Sequence, residues 1–375
     1  MATVNFLIYG KSENTNIDST NIVKAQCVTS INTWSGVTSY SIASAALIYN
    51  IIPSPDSCYY VSTNSVIYKY NSSFALQTTW GTNGFALVTV AIIWSSEKST
   101  QAVNNNNYLC VIRGLQTAGS AVNCWAFDSA GVSSWSRSTI TTQYSPHAVA
   151  ALPNGNFVLS MGMGTTVGLR EYTYSDGTYI RNYPAVSMVW GDALCVNSIG
   201  DVFVGGQNGA ADPTGIGYKF VTGNTTASWS LVTNAQLYAM VANSAYVFCN
   251  SFATSGANDR ELVINKVTGV VTASITASFT DPEIVSLTTV PNVWIAQDFI
   301  SANTVYSCEF ILDETATVLA QNTSASFITM AAGLQVYGVL GNTYVNWNIQ
   351  SPRVQTYQRK LLAFACNQIW AEVTA

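Results

Sequence analysis

The chain has 375 residues, of which only 9% are charged, with 14 Lys and Arg against 19 Asp and Glu for a formal net charge of −5. Soluble domains average about 25% charged residues, so solubility here rests on neutral Ser, Thr, Asn, Gly and Tyr. With no basic cluster to neutralise phosphates, nucleic-acid binding is excluded; the densest basic grouping, Arg353 through Arg359 to Lys360, reads as a solvated surface segment.

At the start of the chain, MATVNFLIYGKSE lacks the basic n-region and long apolar core of a secretory leader. The expectation is release by lysis or export by another route. VNFLIYG (4–10) and VKAQCVTSINTW (23–34) read as a partial structural unit. SCYYVST (57–63) then begins a series: an apolar strand, a small-residue turn, and SVIYKYNSSFALQTTW, which ends at Trp80. FALVTVAIIW (85–94) is far short of the roughly 20 residues of a membrane helix and has the length of a buried strand.

The same grammar recurs down the chain. NNYLCVIRG (106–114) precedes AVNCWAFDSAGVSSWS, GNFVLSMGMG (155–164) precedes GLREYTYSDGTYIRNY, and GDVFVGGQ (200–207) precedes GYKFVTGNTTASW. SAYVFCNS (244–251) precedes RELVINKVTGVVTAS, PNVWIAQD (291–298) precedes TVYSCEFILDETATV, and LQVYGVL (334–340) precedes NTYVNWNI. Taking Tyr60, Leu109, Phe157, Phe203, Phe248, Trp294 and Val336 as centres gives steps of roughly 42 to 49 residues, the range of propeller blades. DSAG (128–131), SDG (175–177), VTGN (221–224) and VTG (267–269) supply hairpin turns, whose Gly and Asn accept positive φ. The fourth strand of each unit is expected from the Ser/Thr-rich stretch between units. Trp80, Trp135 and Trp229 fall at unit ends, where an indole covers the face between neighbouring sheets.

On GDVFVGGQ with GYKFVTGNTTASW, and GNFVLSMG with REYTYSDGT, the chain resembles the β-propeller superfamily, in its divergent Kelch-like and quinoprotein-like repeats, of the kind found in tailed-phage virion proteins. The resemblance implies an all-β, single-domain propeller over 1–375 with four-stranded antiparallel blades. Seven blades are the first expectation and eight the second. Regular repeats span about 50–350, and 1–49 with 351–375, including KLLAFACNQIW (360–370), pair N- and C-terminal strands to close the ring.

Chemistry is sparse. The sole histidine, His147, is expected in a blade-connecting loop with a structural role, and it lacks the companions of a triad or a His-rich metal site. Asp128, Asp176 and Asp313 fall at hairpins, where Asx side chains bond the local backbone. DSAGVSSW is only superficially similar to the sialidase Asp-box, because its Asp-to-Gly and Gly-to-Trp spacings are longer. The adjacent cysteine pair of quinoprotein dehydrogenases is missing. GMGTTVG and GGQNGAADPTG read as strand turns rather than nucleotide loops, and NNNN (104–107) as an exposed loop. Eight scattered cysteines without a CxxC pair suggest buried free thiols; Cys110 and Cys124 flank a hairpin and could face each other, bonded or not. The sequons at Asn71, Asn224 and Asn322 are attributable to composition.

No catalytic, cofactor-binding or metal residue is assigned, and no cofactor is expected. The leading expectation is a non-enzymatic structural and interaction protein of a virus particle, a tail, nozzle or host-facing component. It would be made in the host cytoplasm and joined to other virion structural proteins, with a host surface glycan or receptor as a further partner and no insertion into a membrane. The alternatives are a secreted, carbohydrate-binding lectin-like propeller and a glycosidase- or lyase-type propeller enzyme.

Overall fold

The computed structural model describes residues 35–41, 50–62, 66–88, 101–112, 123–138, 145–162, 166–188, 190–209, 212–222, 226–252, 260–276, 282–287, 294–301, 305–312, 314–321, 329–332, 335–340 and 343–348. Every regular element among them is a strand. After β1 (Ser35–Ser41), the chain builds sheets of four strands that follow one another in sequence. These are β2 (Asn50–Pro53), β3 (Tyr59–Ser62), β4 (Val66–Tyr70) and β5 (Phe85–Leu87); then β6 (Gln101–Val103), β7 (Leu109–Ile112), β8 (Asn123–Phe127) and β9 (Ser133–Ser138). The third comprises β10 (Ser145–Ala151), β11 (Phe157–Gly162), β12 (Val167–Tyr172) and β13 (Tyr179–Asn182); the fourth β14 (Trp190–Val196), β15 (Val202–Gly209), β16 (Asp212–Phe220) and β17 (Ala227–Thr233). The fifth comprises β18 (Gln236–Ala242), β19 (Tyr246–Phe252), β20 (Arg260–Asn265) and β21 (Val271–Thr276); the sixth β22 (Pro282–Leu287), β23 (Trp294–Ser301), β24 (Val305–Leu312) and β25 (Val318–Gln321). In the last sheet, β26 (Thr329–Ala332), β27 (Gln335–Leu340) and β28 (Thr343–Asn348) are joined by β1, which pairs antiparallel with β28.

All pairings are antiparallel, and the seven expected repeat centres each lie on the second strand of a sheet. Why these stretches are continuously apolar follows from where alternate residues go. On β7, Leu109 and Val111 join one core cluster with Tyr60 and Trp80 of the preceding sheet, while Cys110 and Ile112 join another with Phe157 and Leu159 of the following one. On β15, Val202 and Val204 pack back against the β10–β13 sheet and Phe203 packs forward against β18–β21. On β19, Val247 and Cys249 face back and Phe248 faces forward onto Trp294, ring centroids 5.1 Å apart. A strand buried on both faces loses the apolar-polar alternation of a half-exposed one.

The core is thus a series of layers, one between each pair of successive sheets, and first strands meet in order: β2 with β6, β6 with β10, β10 with β14, β14 with β18, β18 with β22, and β22 with β26. The repeat centres share a strand but not a face. Tyr60, Phe203 and Phe248 fill clusters with the following sheet, whereas Leu109, Phe157 and Trp294 fill clusters with the preceding one.

Turns between first and second strands repeat one design. The amide at Ser54, Asn104, Leu152 or Asn197 donates to the carbonyl four residues on, and its own carbonyl accepts from the amide three residues on. Positive φ falls at Ser57, Asn107, Gly155 and Gly200. NNNN is therefore only partly an exposed loop: Asn104 is buried, and its amide donates to Gly155 O of the next sheet's turn at 2.6 Å. The expected terminal segments 4–10, 23–34 and 360–370 lie outside the described residues, as does most of FALVTVAIIW beyond Val88.

Candidate functional site

His147 is not in a connecting loop. It sits on β10, buried, where the pairing with β11 slips between Pro146 and Ala148. The run RSTITTQYSP before it is polar and contains a proline, so the sequence reads as loop until the apolar AVAA begins.

The turn aspartates behave as local braces. Asp128 Oδ1 accepts from the amides of Ala130 and Val132, and Asp176 Oδ1 from that of Thr178. The Thr173 hydroxyl also donates to Asp176, and these bonds hold its carboxyl below the usual carboxylate range. Asp313, Asn224 and Asn322 lie outside the described residues. GGQNGAADPTG runs from the end of β15 into the start of β16, with Gly209 opposite Asp212. Cys110 and Cys124 are free thiols on adjacent strands with sulfurs 3.4 Å apart, and burial pushes the Cys110 thiol well up.

The three tryptophans seal neighbouring sheets through one device. A Cβ on Gly131, Gly177 or Gly269 would come within 2.7 Å of the indoles of Trp80, Trp135 and Trp229 respectively, and all three glycines have positive φ. Each glycine lies in the third-to-fourth turn of the next sheet. Trp135 Nε1 donates to Tyr174 O at 2.8 Å and Trp229 Nε1 to Lys266 O at 3.0 Å. Trp80 departs from the pattern: its buried Nε1 finds no acceptor, and the adjacent Gly81 amide instead donates to Ala130 O.

Two sheets bury a lysine over an aromatic ring. Lys69 Nζ is 2.5 Å from Asp56 and 5.3 Å from the Tyr60 ring centroid; Lys219 Nζ is 3.2 Å from Asp201 and 5.8 Å from that of Phe203. Each lysine stands directly opposite its aromatic across the second and third strands. Burial alone would raise the Asp56 carboxyl, but Lys69, Ser54 and the Cys58 amide outweigh it and hold the group below its ordinary range. These are fully used ion pairs and offer nothing to a ligand.

Of the residues at the irregularities of the first strands, sequence reading singled out His147 alone. β10, β14, β18 and β22 each contain one residue more than the second-strand stretch they pair with: the slips fall between Pro146 and Ala148, Trp190 and Ala193, Leu237 and Ala239, and Pro282 and Ile284. His147, Asp192, Tyr238 and Glu283 stand at these bulges, each followed by two apolar residues: Ala148-Val149, Ala193-Leu194, Ala239-Met240 and Ile284-Val285. Among the described residues they are the only His, Asp, Glu, Tyr, Lys or Arg on the seven first strands. A His, an Asp, a Tyr and a Glu thus share one backbone register position on four consecutive sheets. The signal in the sequence was PHAV, GDAL, LYAM and PEIV at the blade period, each one polar residue set before an apolar pair. Among the described residues no three His, Cys, Asp or Glu side chains gather as a metal centre.

Neither family models nor curated proteins match this chain. Solved structures do. The β-propeller domain of Myceliophteria thermophila Cps50 (Swd1) superposes with a TM-score of 0.60 at 7% identity, covering 84% of this chain and 100% of that one. With four-stranded antiparallel sheets stacked through apolar layers, that likeness establishes the fold: the chain is a β-propeller.

Proposed function

We propose that the chain is a non-enzymatic structural and interaction protein of a virus particle, a tail, nozzle or host-facing component on which other virion proteins assemble. The observation that carries the interaction role is a set of exposed aliphatic turns. Val132, Ile199, Val267 and Val270 are all well exposed, Val267 at 72%. They lie in first-to-second or third-to-fourth turns, which antiparallel order puts at the same end of the sheets. Exposed apolar residues at this end, in addition to Leu87, Tyr179, Ile180 and Val232 on fourth strands, suit a protein interface, and the low charge weakens the repulsion that keeps copies of a protein apart. Within this reading the seven sheets are seven blades of a closed ring, β1 completing the last blade; the contact of β2 with both β6 and β26 supports it.

Labelling purified virus particles with an antibody raised against the chain tests the assignment. Stoichiometric label at one particle feature is expected, and particles that carry none overturn it. Deleting residues 1–41 tests the closure: loss of a single cooperative unfolding transition is expected, and an unchanged melting profile refutes it.

A further inference from the structure

The first turn of the fourth sheet carries more than an ion pair. Asp201 Oδ2 lies 3.2 Å from Lys219 Nζ and accepts, also at 3.2 Å, from Asn197 Nδ2. A single carboxylate oxygen thus touches both an amine and a side-chain amide, and all three residues are buried. The oxygen of that amide is held as well. Asn197 Oδ1 accepts from the backbone amides of Asp201 at 2.9 Å and Ile199 at 3.1 Å, the distances at which donors stabilise an oxygen that gains charge when its carbon is attacked. Of the four sheets with this turn, only the fourth has the full set. In the first, Lys69 meets Asp56, but Ser54 stands where Asn197 does. In the second, Asn104 Oδ1 accepts from two backbone amides in the same way, but Ala126 takes the position of Lys219. In the third, Leu152 and Glu171 occupy the two places.

We propose that Lys219 and Asn197 join through an intramolecular amide bond, closed after folding with Asp201 as acid and base. Asp201 takes a proton from the Lys219 ammonium, which turns two buried charges into none, a change that a dry interior favours. The freed Nζ electron pair attacks Asn197 Cγ, and the charge that develops on Oδ1 meets the two backbone amides. Asp201 then passes its proton to Nδ2 and takes a second one from Nζ; the Cγ–Nδ2 bond breaks and Nδ2 leaves as ammonia. The ammonia carries that second proton away, and Asp201 is a carboxylate again. One ammonium and one primary amide have become one secondary amide and one ammonium ion, with nothing oxidised or reduced. The bond fastens the first-to-second turn to the third strand, past β15. A chain that has not closed it keeps the Lys219–Asp201 ion pair. The inference is independent of the virus-particle assignment, since it concerns only how one sheet is held together.

Mass spectrometry of the purified full chain is the test. The intact mass is expected to fall short of the sequence mass by one ammonia, and proteolysis should yield one branched peptide that joins Asn197 to Lys219. Asn197→Ser copies the turn of the first sheet, a design this chain already folds, and should give the mass of its sequence and unlinked peptides. Asp201→Ala should slow closure by about 10²–10⁴-fold, the share of a positioned acid–base group, and so be isolated open. Circular dichroism alongside shows whether that variant is folded; if it is not, the wild-type peptides decide. Asn197 and Lys219 recovered on separate peptides from folded wild-type chain overturn the proposal. So does ammonia lost by ring closure at Asn197 without Lys219, or a folded Asp201→Ala chain linked as fully as wild type.

Discussion

Second and fourth strands of the same sheets obey opposite rules. β7 is buried at every residue, and β15 is buried from Val202 to Gln207, whereas β21 alternates half-buried Val271, Ala273 and Ile275 with exposed Thr272, Ser274 and Thr276. β17 alternates likewise. The second strand is packed by a neighbouring sheet on each face. The fourth, at the rim, is covered on one face only and presents hydroxyls on the other. Stability is therefore concentrated in strands where a side chain answers to two sheets at once, and substitutions along one sheet should sort by strand rather than by residue type.

The largest effects are expected at Phe203 and at the ion pair beneath it. Phe203→Ala empties a fully buried position between two sheets and should cost about 3–5 kcal/mol, read as a lowered urea midpoint with unchanged slope. Asp201→Asn leaves the Lys219 ammonium, 8% exposed, without its counter-charge; breaking a buried pair from one side costs about 3–5 kcal/mol. A loss below about 1 kcal/mol at either position would mean the second strand tolerates what the rim does. Asp56→Asn should cost less, because Asp56 is 31% exposed and water screens what remains. Its carboxyl titrates below the unfolded value, so its contribution is present above that value and is lost as pH falls through the lowered folded one. Acid titration of the wild type and Asp56→Asn should accordingly converge at low pH.

An intermediate loss is expected where rim meets neighbouring sheet. Gly177→Ala and Gly269→Ala each force a side chain onto a positive φ and set a Cβ 2.7 Å from an indole carbon. Backbone strain alone accounts for about 1–3 kcal/mol, and the indole must shift as well. Near-neutral melting midpoints would show that the tryptophans do not seal the sheets.

The same contrast explains what could be read from the sequence. Second strands announce themselves, since burial on both faces writes a continuous apolar run such as YLCVI or DVFVGG, and their spacing carried the repeat. Their register was not legible for the same reason: when both faces are apolar, Phe157 facing back and Phe203 facing forward look alike. First strands were hidden differently. The bulge at His147 breaks the two-residue period within SPHAVAA, so that residue passed for loop, and at Trp190–Ala193 a bulge breaks it within WGDALCV. β1, SGVTSYS, offers only the weak alternation of an outer strand, and so a strand to pair with the end of the chain was sought in more apolar terminal runs.

The smallest expected effect is the sharpest test of the contrast, because it uses one substitution twice in one sheet. Val204 on β15 is fully buried between two sheets, while Val232 on β17 is 63% exposed. Threonine keeps the β-branched shape and strand preference of valine, so the two variants differ from wild type only by a hydroxyl in place of a methyl. At Val204 that hydroxyl leaves water for an apolar layer, and Val204→Thr should cost about 1–3 kcal/mol. At Val232 it stays hydrated, and Val232→Thr should fall within about 0.5 kcal/mol of wild type. Equal losses at the two positions in urea unfolding would mean that the rim strand is covered by something else, such as a second copy of the chain. Repeating the measurement over a range of protein concentrations would then expose that partner, because only an intermolecular contact makes the loss at Val232 depend on concentration.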